Sequence, residues 1–370
     1  MLIKSSNESS PTYEDNIISA RVTGIVALVT SIASLLIAVV ALPSCALNLI
    51  ANSLHRRDAY TYYLVGMSVA DGLDLVIMVL TTLMELLVPK SSFAYNVTVV
   101  YISVGAATVV RRAAIVLNSL ASVERFFTLI FPFKRSINIL NQYPRLIIIS
   151  VYGNVFLFHV SILLELSVTK IKEEVWAFTP SALRLENEQL FLVLQNVARG
   201  AAFYGPLIIT LIINTALIVA LKLHVYNQRD IRTTAGTGAL QKETTNGGEQ
   251  KGHVQRDRVT KTCRLVLALS FSFFVLALPR TLSSNVGSFL AGYSYFSRSR
   301  NLIYVVNAFA SLPQYLTEPC LLLISCGLST QFRKTVRSQL CCSCEQIVAM
   351  NFREREVISD LTDNVTLTTA

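Results

Sequence analysis

The sequence predicts an all-α integral membrane protein: a seven-transmembrane helix bundle with an extracellular N-terminus and a short amphipathic helix after the seventh span. Three observations predict it. Hydrophobic residues make up 52% of the 370 residues and charged residues only 15%, against about 25% charged in a soluble domain. Seven apolar stretches each reach the roughly 20 residues needed to cross a hydrocarbon core of about 30 Å. Lysine and arginine divide unequally between the two sets of connections.

Residues 1–21 are polar and read as an extracellular N-terminal tail. The run that begins near Val22 is too long for the core of a signal peptide. The apolar stretches cover about 22–54, 60–88, 96–127, 144–168, 190–223, 259–290 and 301–325, a membrane domain over residues 22–326. The connection at about 225–258 is polar, rich in Gly, Thr, Gln and Lys, and has no hydrophobic period, so it is expected to be flexible. Residues 327–340 are amphipathic and basic, the pattern of a helix lying on the membrane surface. Residues 341–370 form a cytoplasmic tail that opens on Cys341, Cys342 and Cys344. Cysteines beside a basic surface helix suit palmitoylation; unmodified thiols are the alternative.

Of the 32 lysines and arginines, 20 fall on the side of the odd-numbered connections and the tail, eight on the other side and four within spans. The richer side should be cytoplasmic, which places a multi-pass chain in the plasma membrane with its N-terminus outside. The net charge of +9 is therefore topological and implies no nucleic-acid partner. Two sequons, at Asn7 and Asn96, fall outside and are candidate glycosylation sites. No cysteine lies in an extracellular segment, and the Cys341–Cys344 spacing does not suit zinc.

The stretch 111–134 carries the densest polar pattern. Arg111, Asn118 and Arg125 are seven apart, a spacing that drifts only about 20° per step on a helix and so keeps them on one stripe. Glu124-Arg125-Phe126 closes the span, and Pro132 follows. Polar groups within a span are costly and mark function by default; the alternative for Glu124 and Arg125 is a helix end extending its charges into the headgroups. In the second span Asp71 needs a cation or a proton. Pro206 and Pro279 each remove a helix hydrogen bond and form hinges or static kinks.

Seven spans with Glu-Arg-Phe closing the third resemble the rhodopsin-like (class A) G-protein-coupled receptors over about residues 22–340. Ser68-Val69-Ala70-Asp71 is similar to the family's segment around its sodium-site acid, Glu124-Arg125-Phe126 to Asp-Arg-Tyr, and Phe131-Pro132 to the second inner loop. Pro206 and Pro279 match the fifth- and sixth-span prolines, Phe273 the aromatic switch, and Phe332-Arg333 the start of the surface helix. The resemblance implies a switch of Glu124, Arg125, Phe126, Pro132, Phe273 and Pro279 that couples to a heterotrimeric G protein. It also implies a sodium ion near Asp71 and Asn118, with no other cofactor, and no enzymatic activity. The pattern of LPSCALN, VTKTC, LPRT and STQFRKT looks most like a divergent invertebrate type, similar to molluscan chemosensory and neuropeptide receptors.

The chain departs from the family pattern at several places. Ala277 stands where a tryptophan usually precedes the sixth-span proline. Val100 stands where the family has a disulfide cysteine, and the loop at 168–189 has no cysteine to pair. The first-span asparagine falls at Cys45 or Asn48. Anchored on Pro319, the Asn-Pro-x-x-Tyr motif reads Glu318-Pro319-Cys320-Leu321-Leu322 and lacks the tyrosine.

The expected function is a receptor for an extracellular small molecule or peptide. Arg111, Arg199 and Arg280 lie within spans near positions that face the family's ligand cavity, with Glu85, Glu165 and Glu318 as internal acids. Either these acids pair with the arginines as structural ion pairs, or surplus guanidinium grips an anionic group on the ligand. Other classes of function are a polar-path transporter or channel, through Asp71, Arg111, Arg112, Glu165, Arg199 and Glu318, and a non-signalling seven-span binding protein. The absence of an internal repeat counts against a transporter.

Overall fold

The protein is described by a computed structural model over residues 18–54, 58–130, 139–172, 175–236, 264–265, 267–283, 300–330 and 332–339. Asn7, Pro132, Cys341, Cys342 and Cys344 lie outside these residues.

The apolar stretches fold as helices whose limits follow the sequence closely. Helix α1 is Ala20–Leu54 and α2 is Ala59–Leu87. A short α3 (Phe93–Val97) leads through a π-helical segment, Thr98–Ala106, into α4 (Ala107–Ile130). After α5 (Ile139–Gln142) comes α6 (Pro144–Glu165), which opens on a proline whose missing N–H costs nothing at a first helical position. Then follow α7 (Ala182–Glu186), α8 (Glu188–Arg199), a second π segment at Gly200–Tyr204, and α9 (Gly205–Gly236). Helix α10 is Leu267–Ser283. The seventh crossing is divided at Leu316 into α11 (Arg300–Tyr315) and α12 (Thr317–Leu328). Pro319 sits in the first turn of α12, where no helix hydrogen bond is lost.

Among the described residues, five helices are long and apolar enough to cross a membrane by themselves. The sixth and seventh crossings complete the bundle as α10 and the pair α11–α12. Their outward faces are apolar, as a hydrocarbon solvent requires: Leu36, Val39 and Leu157 are each about two-thirds exposed. Helix α4 is the hub. It packs on α2, α6 and α9, while α1 packs on α2, α11 and α12. The main core gathers Tyr63 and Met67 of α2, Leu117 and Ala121 of α4, Leu217 of α9 and Phe273 of α10. Gly66 allows this close approach, since a Cβ there would meet Leu117 at 3.2 Å and Ile148 at 3.3 Å.

Three features differ from the sequence reading. The fourth span, read to residue 168, ends at Glu165, and the loop read from 168 opens with an antiparallel hairpin of β1 (Leu166–Lys172) and β2 (Val175–Pro180), so the chain is not helical throughout. The hairpin is fastened to α3: Trp176 N–H donates to Ser91 O at 2.8 Å, and Phe93 and Trp176 meet edge to face at 4.9 Å. Helix α9 continues through 225–236 into the connection expected to be flexible. That portion holds no Gly or Pro before Gly236 to stop the helix. Finally, Asn96 is a buried structural donor, 4% exposed. Its Nδ2 donates to the carbonyls of Lys90, Ser92 and Trp176 at 2.9–3.0 Å. A glycan on that nitrogen is incompatible with these bonds, so Asn96 in this fold is no accessible acceptor.

The surface helix is present as α13, residues 332–339. Its apolar face seats Phe332 and Val336 against Ala51 of α1, which fixes the helix at the end of the bundle where α1 gives way to α2.

Candidate functional site

Asp58 begins the site at the α1–α2 end. It is the N-cap of α2, accepting from Thr61 N at 2.9 Å through Oδ1. Its second oxygen, Oδ2, accepts from Arg125 Nη2 at 2.9 Å. The Arg125 guanidinium also lies 3.5 Å from Glu124 and 4.0 Å above the Tyr60 ring, a cation–π contact in a largely dehydrated place. Glu124 is 1% exposed and accepts from Thr128 Oγ1 at 2.9 Å. Arg125 is therefore bracketed by two carboxylates and an aromatic face. Burial pushes the Asp58 carboxyl up, but the Arg125 charge and the Thr61 hydrogen bonds outweigh it and hold the carboxyl below its usual range. Of the two carboxylates against Arg125, Asp58 makes the shorter contact, 2.9 Å against 3.5 Å for Glu124. An Asp three residues before a Thr at a helix start marks Asp58 as an N-cap but does not point to Arg125.

The heptad stripe has the expected geometry, and its target is α2. Arg125 meets Asp58 at its N-terminus, and Arg111, fourteen residues earlier, meets Asp74 at 2.9 Å. Arg111 is thus a structural ion pair inside the bundle and no surplus cation. The acid is Asp74, one helical turn after Asp71 on the same face of α2 and outside the set of three acids considered from sequence. Asn118 is buried, and its carbonyl accepts from Ser122 Oγ at 3.1 Å.

A small cavity beside Asp74 is lined by Asp71, Leu75, Gln314, Tyr315, Thr317 and Glu318; Asn118 is not part of this lining. Asn48 Nδ2 donates to Glu318 Oε2 at 2.6 Å and to Glu318 O at 3.1 Å, so Asn48, not Cys45, is the first-span amide of this network. Cys45 instead points at Ser68 O, 3.1 Å away. Glu318 thereby occupies the place of the asparagine before Pro319. Asp71 Oδ2 and Glu318 Oε1 are buried without hydrogen-bond partners. These hard oxygens belong to two carboxyls within hydrogen-bonding reach of each other, so either a shared proton or a monovalent cation would satisfy them. Among the described residues no group of three His, Cys or acidic side chains is placed so that it could hold a multivalent metal ion.

Toward the hairpin end lie the remaining candidates. Glu85 accepts from Tyr304 at 2.7 Å and Ser31 at 3.4 Å and pairs with Lys90 at 3.4 Å, tying α1, α2 and α11 together. Glu165 is gripped by Arg184 and by Gln195. Gln195 in turn accepts from Arg199 Nη2 at 3.2 Å. Arg280 Nη1 donates to Asn307 O at 3.0 Å, joining α10 to α11. Arg112, one step round α4 from Arg111, turns from α2 toward α8 and donates to Ala198 O at 3.3 Å. Phe273 is buried in the core, with Phe126 packed against it and Pro279 lying in α10 near Ala277.

Comparison with known proteins agrees with this architecture. No curated protein matches the chain. The family "7 transmembrane receptor (rhodopsin family)" matches residues 44–320, from the middle of α1 to just past Pro319. The match covers about three-quarters of the sequence and includes both the Arg125 bracket and the Asp71–Glu318 cavity; the chain belongs to the rhodopsin family of seven-transmembrane receptors.

Proposed function

We propose that this receptor sits in the plasma membrane with its N-terminus outside, binds an extracellular ligand bearing an anionic group, and activates a heterotrimeric G protein. The observation that carries the coupling reading is the bracketed Arg125. A guanidinium at the end of the central helix, held by two carboxylates and an aromatic ring, is a cation stored for release. Ligand binding at the hairpin end would shift the population toward a state in which Asp58 and Glu124 let Arg125 go. The G protein would then enter beside α4, where it meets that charge. Asp71 and Glu318 would hold a sodium ion midway along this path, neutralising charge that Arg111 alone does not balance.

Expression in cells with a panel of G proteins, followed by nucleotide-exchange measurement, tests the coupling. The parent chain should drive nucleotide exchange on a G protein when its ligand is supplied, and Arg125→Ala should be silent at equal surface level. Exchange retained by Arg125→Ala would remove the bracket from the mechanism. The ion-path and non-signalling alternatives predict, respectively, an ionic current and ligand binding without exchange.

A further inference from the structure

We propose that the lipid-facing seam of α6, centred on Ser150, Gly153 and Asn154, binds the same seam of a second copy of this chain across a two-fold axis along the membrane normal. The proposal stands apart from the ligand and the G protein. Helix α6 has two unlike faces. On the inner one Tyr152 Oη donates to Gly66 O at 2.9 Å, and Val155 and His159 are buried. On the outer one Leu146, Ile149 and Leu157 are each about two-thirds exposed. Ser150, Gly153 and Asn154 are exposed among them.

Asn154 is out of place on that face. It lies ten residues from Pro144 and eleven from Glu165, about 15 Å from either end of the helix. That is near the midplane of a hydrocarbon core about 30 Å thick. Neither water nor headgroups serve a polar group there, so leaving one unmatched is costly. Asn154 Nδ2 donates to Ser150 O at 2.8 Å and to Ser150 Oγ at 3.0 Å. Among the described residues no donor reaches Asn154 Oδ1, and Ser150 Oγ, which accepts from Asn154, donates to no group. Thr215 of α9 shows the ordinary solution: it is exposed too, but returns its hydroxyl to Leu211 O at 2.8 Å.

Ser150 and Asn154 therefore hold out one unused donor and one unused acceptor, side by side. Two copies inserted with the same orientation meet at equal depth. A two-fold axis along the normal then sets each residue of the seam opposite its own counterpart, and only a self-complementary group gains from that. This pair is one, because the Ser150 hydroxyl of each copy rotates to donate to Asn154 Oδ1 of the other, giving two symmetric hydrogen bonds. Gly153 allows the approach they need. A Cβ on it would meet nothing within 4 Å, so its backbone is bare toward the bilayer, and small residues on such a surface let two helices close in. An acyl chain could cover the seam but offers it no hydrogen bond.

The test uses the purified full chain, labelled at its N-terminus with donor or acceptor dye, in phosphatidylcholine vesicles, and reads energy transfer as lipid is added. The parent should associate reversibly. Asn154→Leu and Ser150→Ala should each weaken association about tenfold or more. Asn154→Gln, which keeps the amide, should associate more tightly than Asn154→Leu. Leu157→Cys, in the seam, should crosslink between copies on oxidation above the level of the parent, whereas Val39→Cys on α1, as exposed as Leu157, should not. Asn154→Leu should unfold no earlier than the parent at high dilution, where both are monomeric. The proposal is overturned if the parent stays monomeric at every dilution, which would leave the seam to a different membrane protein. It is overturned equally if Asn154→Leu or Ser150→Ala associates as the parent does, if Asn154→Gln is no better than Asn154→Leu, if Val39→Cys crosslinks as well as Leu157→Cys, or if Asn154→Leu unfolds earlier than the parent.

Discussion

Replacing Asp58 by asparagine separates the two tasks of one side chain. Asn caps a helix as well as Asp does, so Oδ1 still accepts from Thr61 N and α2 keeps its start. What is lost is the charge on the oxygen that meets Arg125 at 2.9 Å. Arg125 is 14% exposed and Asp58 31%, so the pair is only partly screened, and a hydrogen bond between charged groups contributes about 1.5–3 kcal/mol. At about 2 kcal/mol, the ratio of held to released Arg125 falls about 30-fold. A released population of about 1% would rise to roughly a quarter. Nucleotide exchange without ligand, measured at matched surface level, should therefore climb by an order of magnitude or more. Asp58→Ala should do the same and lose about 1 kcal/mol of helix capping besides. Unchanged exchange in Asp58→Asn, with a rise only in Glu124→Gln, would show that the neighbouring Glu alone holds the arginine. The sign of the pH dependence follows from the depressed Asp58 carboxyl. Its contribution is complete above about pH 4 and fades as pH falls through the lower folded value. Basal exchange governed by this contact should then be flat between about pH 6 and 8.

Other consequences can be measured on the same chain. Arg111→Gln strands Asp74 as a buried unpaired charge and should cost about 3–5 kcal/mol of stability, most of it regained on adding Asp74→Asn; additive thermal shifts would sink the ion-pair reading. Exchanging potassium for sodium should raise the unfolding midpoint of the parent and not of Asp71→Asn, and an equal response in both would deny a sodium site at Asp71. Acyl-exchange labelling should fall to background when Cys341, Cys342 and Cys344 are all changed to Ala, and persistent label would place any acyl chain elsewhere.

Most of the fold was legible because hydropathy is a local average over a span. The limits of α1, α2 and α6 needed only apolar runs and a proline. Features set by partners distant in sequence were not legible. Asp58 and Arg125 are 67 residues apart, and nothing local to either announces the other. Asn48 and Cys45 were equivalent from spacing, and the 2.6 Å contact with Glu318 separates them. The heptad stripe correctly put Arg111 and Arg125 on one face because both lie in regular α4. The same spacing argument applied to Arg199 and Pro206 crosses the π segment at Gly200–Tyr204. One wide turn there shifts the face by roughly 100°, and no compositional signal marks it. The hairpin was readable in part: Leu166–Lys172 is β-branched at Val168, Thr169 and Ile171, but its position between two spans favoured a loop.

The hairpin's attachment bears on handling the protein. With no cysteine at residue 100 and none in the hairpin, the entrance to the bundle is closed by the Asn96 amide and the Trp176 indole rather than by a covalent bridge. Reductants therefore have no bond to cut there, and thiol chemistry becomes available as a tool. Cys45, Cys320 and Cys326 are free, with Cys45 buried and the other two part-exposed. A receptor that keeps its entrance intact in dithiothreitol can be purified with its thiols reduced, under conditions that would open a disulfide-closed one, and spin-labelled once the reductant is removed.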